Sequence, residues 1–182
     1  LAEFDKDLWR KRSWGRFCRA TATKPESSQR IRDAAWVADL KAIDDLEALV
    51  TWCTTRCIKV VFAKKALGSY ATADKVITIS SRLKPLNQSV VLLHECGHHL
   101  CGGADHHDRF SMGYPQATEP SVRRTFHHRV SCLEEEIEAW HRGWKLAVRL
   151  GLNVSRDDFD AVRLDCLRSY IKWTLKPSEM EA

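Results

Sequence analysis

The 182-residue chain reads as an α+β protein with a small, mainly antiparallel sheet packed on helices. Three observations predict this class. Several long stretches repeat apolar residues at intervals of three and four, the period of a helix with one buried face. Two short β-branched runs, at residues 58–63 and 75–80, carry the strand signal. A composition of 44% hydrophobic and 29% charged residues is that of an ordinary globular chain long enough for one domain with a proper core. The expected organisation is a single domain over 1–182, with a basic N-terminal helix and loop at 1–27, a core at 28–150, and a C-terminal helix and tail at 151–182.

In chain order, residues 5–19 read as a short helix and 21–28, with Pro25 and two serines, as a loop. From about residue 28 to 53, Ile31, Ala35, Val37, Leu40, Ile43, Leu46 and Leu49 or Val50 recur at three and four, which predicts a helix. The strands at 58–63 and 75–80 follow, with Val76, Ile77, Thr78 and Ile79 in the second; residues 68–74 join them, with Tyr70 in a candidate short strand of its own. Val90, Val91, Leu92 and Leu93 lead a further helix that Asn87 or Ser89 can cap and that Gly102 and Gly103 stop. Residues 104–129 lack periodicity and contain Gly113, Pro115, Pro120 and four histidines, a loop long enough to be functional. Leu133, Ile137, Trp140, Trp144 and Ala147 define an amphipathic helix over 131–150 that Gly151 ends. A last helix, from 155 or 156 to 174, presents Phe159, Val162, Cys166, Leu167, Tyr170 and Ile171 before Pro177.

Charge and cysteine content narrow the function classes. The net charge is +5, and residues 1–30 hold eight Lys or Arg against four acids, with Trp9, Trp14 and Phe17 interleaved. Cations among stacking rings suit a nucleic-acid contact. An amphipathic helix that docks its rings and solvates its charges explains the same residues, and that reading is preferred. No apolar run is long enough to span a membrane. Seven cysteines without scaffold spacing fit a reducing compartment, so a cytoplasmic protein is expected.

The stretch that carries chemistry is His94-Glu95-Cys96-Gly97-His98. On a helix, residues four apart share a face, so both imidazoles can hold one metal ion. Glu95 then stands where its carboxylate reaches a water at that metal, the reason H-E-x-x-H is read as a zinc hydrolase signature. A catalytic zinc normally takes three protein ligands. Two candidates for the third stand open in the residues: Glu136, in Glu134-Glu135-Glu136-Ile137-Glu138, and His106 or His107, with Glu135 and Glu138 as minor alternatives. Tyr114, Tyr70, His106 and His107 are candidate stabilisers of a transition-state oxyanion. Cys96 and Cys101 suit burial better than metal, and Cys53 with Cys57 is a weak second-site signal.

Glu136-Ile137-Glu138-Ala139-Trp140 is similar to the E-x-x-A-[N/D] signature of gluzincin metallopeptidases, and with the motif helix and the strand before it the stretch at 58–150 resembles the small ImmA/IrrE-like family. The resemblance implies a zincin-like fold, with an H-E-x-x-H helix and a second, Glu-bearing helix, and Glu136 as third ligand to one Zn2+. Trp140 departs from the pattern, since a short polar residue usually stands there to support a ligand. The segment Leu67-Gly68-Ser69 and a downstream histidine loosely resemble the SprT-like proteases instead, although no zinc-ribbon cysteine pairs follow.

The function these readings predict is a zinc metallopeptidase acting on a protein or peptide, with Glu95 as general base and the strand at 75–80 on the cleft rim, pairing with an extended substrate. The family resemblance implies a regulatory protease of a mobile element. The rival reading is a zinc-stabilised binding module, or an inactive protease relative, that contacts nucleic acid or a protein partner through the basic N-terminus.

Overall fold

A computed structural model of the chain describes residues 26–64, 66, 68–102 and 125–175, with side chains of the first helix from residue 36 onward. The N-terminal helix expected at 5–19, the basic segment with its nucleic-acid reading, and His106, His107 and Tyr114 lie outside the described residues. The architecture is α+β, with four described helices and one three-stranded sheet. Two compact units divide it, Leu1–Leu92 and Leu93–Ala182. No helix among the described residues is long and apolar enough to cross a membrane.

The first unit opens with helix α1, Glu26–Thr54. Ala42, Ile43, Leu46, Leu49 and Cys53 are buried on one face, at the predicted spacing, and burying a Leu or Ile side chain is worth about 1.5–3 kcal/mol. Val37 departs from the expected face and is 45% exposed. The helix closes in a Schellman motif: Ile58 N–H donates to Cys53 C=O and Cys57 N–H to Thr54 C=O, both at 3.0 Å, while Cys57 takes φ 57°. A left-handed turn is thus made by a residue other than glycine. Cys57 is exposed and Cys53 buried, each with a place in this helix end that needs no metal.

Strands β1 (Lys59–Ala63), β2 (Gly68–Ala71) and β3 (Val76–Ser80) form a sheet in the order β1-β3-β2. The sheet is mixed rather than mainly antiparallel. β2 and β3 pair antiparallel, with Tyr70 opposite Ile77, whereas β1 and β3 pair parallel, with Val60 opposite Ile77. The chain reverses twice between β1 and β3, so those two strands run the same way. This order also corrects the expectation that residues 75–80 offer a free edge to substrate: β3 is the central strand, with ladder bonds on both sides. Ile77 and Ile79, both fully buried, point to one face at the strand period of two.

Helix α2, Pro85–Cys101, starts earlier than the cap reading placed it. Proline at the first helical position lacks only an N–H that would have had no helical partner, and its fixed φ suits the helix. Ser89 therefore lies inside the helix, where its hydroxyl donates to the carbonyls of Pro85 (3.1 Å) and Ala42 (3.2 Å). Buried Gln88 donates to the Ser80 carbonyl at 2.9 Å, tying the helix to the end of β3.

The second unit holds the rest of α2, helix α3, Phe126–Leu150, and helix α4, Arg156–Thr174. α3 begins five residues before the predicted 131, with Thr125 as N-cap accepting from His128 N–H at 3.1 Å. His127 and His128 are accordingly helical, not loop residues, and His128 is buried against Cys132, 3.6 Å from its sulfur. Gly151 closes α3 at φ 63° with the same Schellman bonds as in α1. α4 starts at the N-cap Ser155, as predicted, and buries Phe159 and Leu167, while Ile171 stays 48% exposed. Trp140 and Trp144 of α3 contact Phe159, at ring-centroid distances of 5.4 and 5.2 Å.

Candidate metal centre

The approach of α3 to the second half of α2 is set by two glycines. A Cβ on Gly97 would stand 1.9 Å from the Ala139 carbonyl oxygen, and one on Gly143 would stand 2.6 Å from the Leu93 oxygen. Backbone therefore meets backbone at this crossing, which only glycine permits. Arg142 fastens it, pairing with Glu138 at 2.7 Å and donating to the Leu100 carbonyl near the end of α2. Side chains on either side of the crossing are brought within a few ångströms of each other.

His94 and His98, one turn apart on α2, project there, and α3 contributes Glu136. His94 Nε2 lies 3.1 Å from Glu136 Oε2 and 3.2 Å from His98 Nε2, and His98 Nε2 lies 3.5 Å from Glu136 Oε1. A tetrahedral ion with bonds of about 2.0–2.1 Å needs donor atoms about 3.4 Å apart, so these separations match. His94 is 8% and Glu136 3% exposed, and His98 is partly covered. Among the described residues, this is the group of His, Cys, Asp or Glu side chains that could hold a metal ion. The donors do not single out one metal: imidazole suits zinc, copper, iron and nickel alike.

The electrostatics fit a cation. Burial would raise the Glu136 carboxyl, but hydrogen bonds from His94 and His98 outweigh it and pull the carboxyl down to about 2. For His98, burial acts to lower the pKa, yet Glu135 and Glu136 push it up to about 10. His94 is lowered, mainly by burial. Glu95 is also buried, and its carboxyl is raised to about 7 by loss of water. A free site with one proton on His98 and an ionised Glu136 is thus a protonated stand-in for a metal-loaded one.

Two neighbours make contacts that the sequence does not show. Trp140 stacks on the His94 ring at 4.2 Å with 19° between planes, occupying the place where a polar support was expected. Glu135 sets Oε1 3.6 Å from His98 Nδ1. Trp140 lies one turn after Glu136 and so on the same face, a spacing that could have revealed it. The remaining acid, Glu138, goes to Arg142, and Tyr70 stands half-buried on β2 in the first unit. The apolar seam is shifted from the expected one: Ile137 is 45% exposed and Leu133 only partly covered, while Cys132, Glu135, Glu136, Ala139 and Gly143 are buried. Glu136 thus sits within the buried face. A pocket of about 310 Å³ lies between α3 and α4, lined by Trp140, Trp144, Phe159 and Arg156 among others, and the three candidate ligands do not line it. No protein-family model, curated protein or solved structure matches the chain.

Proposed function

We propose that the chain is a zinc-dependent metallopeptidase, with His94, His98 and Glu136 as ligands and Glu95 as general base. The observation that carries this reading is the convergence of His94 Nε2, His98 Nε2 and the Glu136 carboxylate at 3.1–3.5 Å, beside a second buried acid, Glu95, whose pKa is raised to about 7. When bound there, zinc would supply Lewis-acid polarisation of the scissile carbonyl. Glu95, one residue from a ligand, takes the proton of the attacking water on its carboxylate and delivers it to the leaving amine. A carboxyl poised near neutrality suits both halves of that transfer. A cation beside it favours the carboxylate form, which is the form a base requires. The substrate class is a peptide or protein, and the likeness of 58–150 to ImmA/IrrE-like proteins supports a regulatory target.

The test pairs metal content with turnover. Purified after zinc-replete growth, the protein should carry one zinc by elemental analysis. Glu95→Gln should keep the metal and lower cleavage of a proteome-derived peptide library about 10²–10⁴-fold. Glu136→Ala should lose zinc affinity where His106→Ala and His107→Ala keep it. Equal cleavage by wild type and Glu95→Gln would remove Glu95 from the chemistry. Stoichiometric zinc without cleavage of any library peptide would favour the zinc-stabilised binding module.

A further inference from the structure

We propose that Glu135 is a positioning residue for His98: its carboxylate accepts the Nδ1–H of that ring and so fixes the tautomer that presents Nε2 to a metal. The inference rests on the metal site proposed above. Its evidence is the way the His98 ring divides its two nitrogens. Nδ1 faces Glu135 Oε1 at 3.6 Å, whereas Nε2, across the ring, faces His94 Nε2 at 3.2 Å and Glu136 Oε1 at 3.5 Å. A neutral imidazole has one N–H and one lone pair, so a metal on Nε2 requires the proton on Nδ1. The buried carboxylate of Glu135 is then the acceptor on that side. At 3.6 Å the two groups are in ion-pair range when His98 is protonated, and a direct hydrogen bond from Nδ1–H requires a closer approach.

His94 supplies the contrast. Its Nδ1 is buried and meets no hydrogen-bond partner among the described residues, and the Trp140 ring stacked at 4.2 Å holds the imidazole instead. The two ligand histidines are therefore oriented by different physics, one by a carboxylate and one by an aromatic face. Consecutive acids of α3 divide the labour: Glu136 meets the metal-facing nitrogens and Glu135 the far side of one ring. Outer partners of this kind commonly change metal affinity 10–100-fold.

The experiment uses zinc itself as probe and the full chain. Two-bond 15N–1H spectra of the zinc-loaded wild type should show His98 protonated on Nδ1 and bound through Nε2. In chelator competition, Glu135→Ala should raise the zinc Kd about 10–100-fold. Glu135→Gln, whose carbonyl still accepts, should stay within a few-fold of wild type, and Glu134→Ala, on the exposed neighbour, should not change it. A His98 ring that binds zinc through Nδ1, or an unchanged Kd in Glu135→Ala, would overturn the proposal. Should Glu135→Ala fail to fold, the wild-type spectrum and the Glu135→Gln affinity still decide it. Absence of zinc binding by the wild type would instead overturn the metal site, and with it this inference, before any variant is compared.

Discussion

Helices α1 and α3 are comparable in length, 29 and 25 residues, and put their buried faces to opposite uses. α1 buries Ala42, Ile43, Leu46, Leu49 and Cys53, with Asp45 the polar member of the set. α3 buries His128, Arg129, Ser131, Cys132, Glu135 and Glu136 before any large apolar side chain, and then Ala139, Trp140, Gly143, Leu146 and Ala147. The first helix is held by apolar area, which is non-directional and forgiving. The second is held by close backbone approach and by polar groups that each need a partner, which tolerates little change. Of these two faces, the one that could hold a metal is thus the one with less hydrophobic driving force of its own.

The comparison breaks most visibly at the helix crossing. Gly97→Val places branched carbon where even a Cβ would stand 1.9 Å from the Ala139 carbonyl oxygen, and a helix backbone cannot yield locally. A loss of about 3 kcal/mol or more is expected, at or beyond the usual range for overpacking, together with loss of metal binding. Thermal or urea denaturation followed by circular dichroism measures it. A Gly97→Val protein with wild-type stability would show that α2 and α3 do not meet backbone to backbone.

Titration should separate the two faces next. His98, raised from 6.5 to about 10, stays protonated after an unfolded histidine would have lost its proton. Its contribution to metal-free stability is therefore complete below about pH 6.5 and lost as pH rises through 10. Glu136, lowered from 4.5 to about 2, contributes stability present above pH 4.5 and lost as pH falls through 2. A metal must displace the His98 proton, so between about pH 6.5 and 8 zinc affinity should rise about tenfold per unit, with about one proton released. Glu95, near 7, adds part of a second proton over the same range, and Glu95→Gln should remove only that part. Calorimetry in buffers of different ionisation enthalpy counts the protons. A pH-independent affinity in Glu95→Gln would mean that His98 is neutral in the metal-free protein.

What the sequence made legible follows the same division. The apolar period of α1 from Ile43 to Leu49, the isoleucines of β3 and the stop at Gly102 are local patterns, and the structure has them where the patterns put them. The two Schellman ends show the limit: Gly151 is visible because glycine is the residue a left-handed turn favours, whereas Cys57 does the same work without that sign. The strand order was not legible, because β1 and β3 are neighbours in the sheet although β2 lies between them in sequence, and no side-chain pattern records that. In the candidate metal centre, His94, Glu95 and His98 follow from spacing within one helix. The meeting of Glu136 with them depends on Gly97 and Gly143, whose meaning appears only when both helices are placed. The stack of Trp140 on His94 and the place of Glu135 beside His98 were not legible for the same reason, since both belong to the crossing rather than to either helix.

The smallest effect is expected where the apolar stripe of α3 misled. Ile137 shares the helical period with Leu133, Trp140 and Trp144, and on that ground it belongs to the core; in the structure it is 45% exposed. The true buried face runs through Glu136, Ala139 and Gly143, so a neighbour of Glu136 one residue on is rotated by about 100° toward solvent. Ile137→Ser should therefore change stability by no more than about 0.5 kcal/mol, as for other surface substitutions, and leave zinc affinity as it was. Leu146→Ala, on the same helix but at 1% exposure, should cost about 2–5 kcal/mol. Urea melts of the two variants side by side measure the difference. If Ile137→Ser cost as much as Leu146→Ala, the apolar stripe would be the buried face after all, and α3 would have to turn by roughly one residue, carrying Glu136 away from His94 and His98.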